Sequence, residues 1–77
     1  MEVFQRGDFV RIGADGRTVD GMVTLASPCG KSLIVMFDAM LDGHVGAMPL
    51  LWSEGDACFV ALITGHPVIL ERKRDDG

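Results

Sequence analysis

Cys29, His44, Cys58 and His66 are the residues best suited to hold a metal, and they lie 15, 14 and 8 positions apart. Structural zinc sites preorganise ligands in pairs on one turn, as Cys-x-x-Cys or His-x-x-x-His. Neither pair occurs in this chain, so no metal and no cofactor is expected. Cys29 lies in Pro28-Cys29-Gly30-Lys31, where a neighbouring ammonium favours the thiolate. The local sequence offers it no histidine or carboxylate partner, so no catalytic residue is assigned. Cys58 sits in an apolar run and reads as core. Gly30-Lys31-Ser32 matches the tail of a phosphate-binding loop, but Leu25 stands where the first glycine of that loop belongs. His44 follows Asp42-Gly43 and His66 follows Gly65, so both read as turn residues. Asp42, His44 and Trp52 remain as polar and aromatic candidates for a ligand site built between subunits.

The elements that would carry these residues are short. Ten glycines and three prolines divide 77 residues into brief runs rich in Val, Ile, Leu, Phe and Met. Such punctuation describes strands and turns, not helices. Strands are predicted over 8–12, 21–27, 32–38, 44–52 and 68–72. Asp15-Gly16 and Asp42-Gly43 are suited to tight turns with positive φ. Residues 57–64 fit either a helical turn or a short strand. The expectation is a single all-β domain over 1–77, a five-stranded barrel with room for one short helical turn before the last strand, and a charged tail over 73–77.

The facial pattern is the informative part. A strand with one wet face alternates apolar and polar residues. In the third strand Leu33, Val35 and Phe37 share one face, and Ile34 and Met36 the other; both are apolar. In the fourth, Met48, Leu50 and Trp52 oppose Pro49 and Leu51. A chain this small has one core, so one of the two faces needs a cover. Residues 1–4 or 57–63 could fold over it, but a partner subunit is the favoured cover, because large exposed apolar patches are uncommon on monomers. Ile34, Met36, Met48, Leu50 and Trp52 are the interface candidates, in a homodimer or homotetramer or against another protein.

Charge excludes further functions. The formal net charge is -4, from 7 Lys+Arg against 11 Asp+Glu. Residues 36–70 hold Asp38, Asp42, Glu54 and Asp56 and not one Lys or Arg. Binding to nucleic acid draws chiefly on phosphate neutralisation, and the best basic patch would need Arg6, Arg11 and Arg17 to join Arg72, Lys73 and Arg74. Asp8, Asp15, Glu71, Asp75 and Asp76 interleave with it, so nucleic acid is not expected as a partner. The N-terminus shows no basic region followed by an apolar one. The apolar runs fall far short of the ~20 residues of a spanning helix. A cytoplasmic chain with two reduced thiols, away from any membrane, is expected.

The opening Gly7-Asp8-Phe9-Val10-Arg11-Ile12, followed by Gly21-Met22-Val23, resembles the start of many small SH3-like barrels. The rest is similar in style to short uncharacterised proteins encoded by phages and integron cassettes, for which no activity is implied. The opening also looks like that of the plasmid-borne dihydrofolate reductase, a tetramer of short SH3-like chains. That enzyme's Val-Gln-Ile-Tyr motif is absent, since Gln5 is the only glutamine and tyrosine does not occur. Polyproline reading, which uses a groove of Tyr and Trp, is excluded on the same ground. The functional expectation is a self-associating, non-catalytic interaction or adaptor module of mobile-element type. Its rivals are a ligand-binding or enzymatic site formed at a subunit interface, and a nucleic-acid-binding barrel.

Overall fold

The computed structural model describes residues 2–73. They form six strands: β1 (Phe9–Ala14), β2 (Arg17–Ala26), β3 (Ser32–Leu41), β4 (His44–Ser53), β5 (Cys58–Ala61) and β6 (Pro67–Arg72). Each pairs antiparallel with the next, and β6 returns to β1, so the sheet closes into a barrel. The predicted count of five strands is corrected to six. The predicted helical turn is also corrected: Cys58–Ala61 is β5, paired with β4 from Leu50↔Ala61 to Ser53↔Cys58. A seven-residue apolar run reads equally well as either element. Here the open edge of β4 takes it up as a ladder partner. The predicted tail begins at Lys73, whose N–H bonds Phe9 O at 2.8 Å; 74–77 lie outside the described residues.

Two tight turns set the phase of the sheet. Asp15 (φ 52) with Gly16 (φ 76), and Asp42 (φ 48) with Gly43 (φ 75), are left-handed pairs. Such two-residue turns match the twist of the strands they join, and they align Ala14↔Arg17 and Leu41↔His44. Gly21 answers a different need. A Cβ there would lie 2.6 Å from Met36 O, so β2 and β3 approach closely only because that atom is missing.

Alternation then fills the interior. Val10, Ile12, Val23, Leu33, Val35, Met48, Leu50 and Ala61 are all at most 1% exposed. Phe4 joins this core, 2% exposed and edge-to-face with Phe59 at 6.2 Å. The N-terminal segment thus adds Phe4 to the core, while Phe9, Leu25, Met36 and Leu51 on the outer sheet face stay exposed. Among the described residues no helix is long and apolar enough to cross a membrane.

Candidate functional site

Three places gather the residues singled out by sequence: the outer face of the sheet, the β3–β4 turn and the end of β4.

On the outer face, register places apolar side chains in rows across the strands. Phe9, Met22, Met36 and Ala47 form one row from β1 to β4. Leu25, Ile34 and Pro49 form the next, extended by Leu62, whose N–H bonds Pro49 O at 3.0 Å. Ser32, Leu51, Val60 and Pro67 form a third. No member of these rows is charged. Phe9 is 64% exposed, Leu25 55%, Met36 49% and Leu51 43%. Cross-strand neighbours on one face act as a unit, so this is a single patch and not a scatter of isolated residues. Charged pairs border it: Arg11 with Asp20 at 3.5 Å and Lys31 with Glu54 at 2.7 Å.

The interface candidates divide on this geometry. Ile34 and Met36 belong to the outer rows. Met48 and Leu50 are corrected to core, at 0% and 1% exposure. In β4 the even-numbered residues from Met48 take the inward phase and Ala47, Pro49 and Leu51 the outward one. The latter three, with Phe9, Met22, Leu25, Val60, Leu62 and Pro67, are the apolar row members that the interface candidates lacked. The alternation of β4 was visible, but the choice of buried face required the barrel.

Asp42 and His44 meet at the β3–β4 turn. The Asp42 side chain is only 9% exposed. Its Oδ2 accepts the Thr64 hydroxyl at 2.7 Å, and its Oδ1 accepts His66 Nδ1–H at 2.8 Å. The His66 ring, then the Thr64 hydroxyl, hold the Asp42 carboxyl below the usual carboxylate range. Asp42 in return raises His66. His44 is 7% exposed and donates Nδ1–H to Asp42 O at 2.8 Å, because a carbonyl can only accept. The other ring nitrogen, Nε2, is buried and without a hydrogen-bond partner. Thr64 and His66 were not foreseen as partners of Asp42; the signal was a Thr-x-His spacing in a turn, which carries no meaning until the two turns are known to be neighbours.

Trp52, the third ligand candidate, lies eight residues along β4 from His44 and does not join that cluster. It is half-buried and edge-to-face with Phe59 at 5.1 Å. With Phe4, Phe59, Val68 and Leu70 it lines a cleft of about 260 Å³, smaller than the roughly 300–1,000 Å³ of ordinary small-molecule sites.

Cys29 and Cys58 are free thiols, and among the described residues no three His, Cys, Asp or Glu side chains gather as metal ligands. Cys29 is exposed, and its thiol is lowered by the Ser27 hydroxyl first and then by the Lys31 backbone.

The basic residues of β1 and β6 do become neighbours, as expected for joined first and last strands. They arrive already paired. Arg72 holds Glu2 and Asp8, both at 3.0 Å, and lies 5.2 Å from the Phe4 ring centre. Lys73 holds Asp20 at 2.9 Å. Arg74, the last member of the predicted patch, lies outside the described residues.

No family model matches the chain, and neither curated proteins nor solved structures give a match.

Proposed function

We propose that the protein is a self-associating, non-catalytic interaction module, and that a second copy of the chain covers the outer face of β1–β5. The observation that carries this reading is the charge-free block of cross-strand rows centred on Ile34 and Met36. A barrel has already spent its inward faces on its own core. An apolar outer surface running from β1 to β5 is therefore surplus to folding and is costly to leave in water. A like copy fits it because the patch has no charge of its own to repel its image.

The barrel is read as SH3-like from the Gly7–Ile12 and Gly21–Val23 segments and the β1–β6 closure. Its style supports an origin among products of mobile elements, and the proposed compartment is the cytoplasm, where thiols stay reduced. A nucleic-acid role is disfavoured because Arg11, Arg72 and Lys73 all hold carboxylates.

The test is Met36→Lys. Met36 is half exposed in one chain, so the lysine has solvent to enter and the fold tolerates it. In an assembly the same ammonium is buried without a partner, which costs several-fold more than a surface change. Met36→Lys is expected to keep its circular dichroism and lose mass in light scattering. A folded variant with the mass of the parent overturns the proposed face.

A further inference from the structure

The four described methionines lie in three different surroundings. Met48 is core, at 0% exposure. Met22 and Met36 are register partners on β2 and β3, in the outer row between Phe9 and Ala47. Met40 is farther along β3, paired with Val45 beside the β3–β4 turn. Exposed Asp38 stands between Met36 and Met40 in the strand, and Met40 belongs to none of the apolar rows. In a single chain the two are nearly equally open, Met36 at 49% and Met40 at 56%. Position relative to the apolar rows separates them more than exposure does.

A thioether is the one group in these rows that a mild oxidant converts from apolar to polar. With hydrogen peroxide, the sulfur lone pair attacks one peroxide oxygen. An S–O bond forms as the O–O bond breaks, and the hydroxyl proton passes to the departing hydroxide, which leaves as water. The sulfur loses two electrons and the peroxide gains two. The sulfoxide oxygen is a hydrogen-bond acceptor. On the open face of a single chain water satisfies it, so the barrel keeps its fold. Between two copies it would face rows in which Ser32 is the only side chain with a donor, and an acceptor buried without a partner is costly.

We propose that Met36, with Met22 beside it, is a peroxide-oxidised site that switches the protein from assembled to single chains. The switch acts through the interface between copies, so it rests on the proposed self-association. Oxidation falls on the separated chain, where Met36 is open. The oxidised chain re-enters the assembly poorly, so mass action draws the population toward single chains. Reduction of the sulfoxide restores the apolar row.

The test treats the full chain with hydrogen peroxide over a range of protein concentrations up to tens of micromolar. Oxidation is read residue by residue by peptide mass spectrometry, and the mass of the same samples by light scattering before and after. Met36 and Met40 are expected to oxidise at similar rates in dilute protein, with Met36 falling behind Met40 as concentration rises. Once Met36 is sulfoxide, the concentration needed for assembly should rise at least about tenfold, the effect of burying an unpaired polar group. Met40→Leu and Cys29→Ser should lose mass under peroxide as the parent does. An untreated parent with the mass of one chain overturns self-association and the switch together. An assembly that keeps its mass with Met36 oxidised overturns the switch alone, as does a mass that survives peroxide in Met40→Leu or Cys29→Ser.

Discussion

Asp42 carries a left-handed backbone, a threonine hydroxyl and a histidine ring at once. Its consequences for stability follow from the directions of the shifts. His66 is raised above its ordinary value, so its contribution is complete below about pH 6.5 and is lost as pH rises through the raised value. Asp42, Asp8 and Asp20 are lowered. Their contributions are complete above about pH 4 and are lost as pH falls through the lowered values. The causes are His66 for Asp42, the Gln5 N–H for Asp8 and Lys73 for Asp20. Urea unfolding is therefore expected to show a plateau in mild acid, a fall below it and a smaller fall above pH 7. His66→Gln should abolish the upper fall alone; an upper fall of the same size in that variant contradicts the assignment. Trp52 belongs to the same scale. It is half-buried against Phe59, so native emission should be blue-shifted from that of free tryptophan yet remain open to acrylamide. Of this cluster the sequence disclosed Asp42 and His44, which share one turn. His66 and Thr64 are more than 20 residues away, and only the barrel brings them in.

The strands show where local pattern suffices and where it does not. Alternating apolar residues and Asp-Gly turns located β1 to β4 to within a few residues, because a two-residue turn fixes register and register fixes which side faces inward. β3 runs beyond its predicted end because Met40 and Leu41 pair with Val45 and His44, and β4 gains Ser53 by pairing with Cys58. β5 stayed ambiguous because four residues carry too little period to choose between helix and strand. The choice of outward face on β4 was equally hidden, which is why Met48 and Leu50 moved to the core. Gly21 supplies a prediction for an element. In Gly21→Ala the new methyl meets Met36 O at 2.6 Å and Val35 Cγ1 at 3.0 Å. Backbone must move to admit it, at a cost of about 1–3 kcal/mol, read as a lowered urea midpoint. An unchanged midpoint contradicts the close β2–β3 approach.

At the scale of the molecule, surface chemistry is divided by strand. The β1–β6 side carries paired opposite charges, and the side from β1 through β4 to β5 carries an uncharged apolar block. The first division implies weak attraction for phosphate backbones. Mixed-sequence DNA or RNA should show no mobility shift at micromolar protein and physiological salt. A shift that fades steeply with salt and vanishes in Arg72→Ala contradicts that reading. The second division carries the central proposal, self-association through Ile34 and Met36. Sequence had indicated it through a third strand apolar on both faces; the barrel identifies which face is surplus. Light scattering of the parent chain at tens of micromolar tests it most directly. The expected mass is at least twice the 8.3 kDa of one chain. A single species of 8.3 kDa at that concentration contradicts the account.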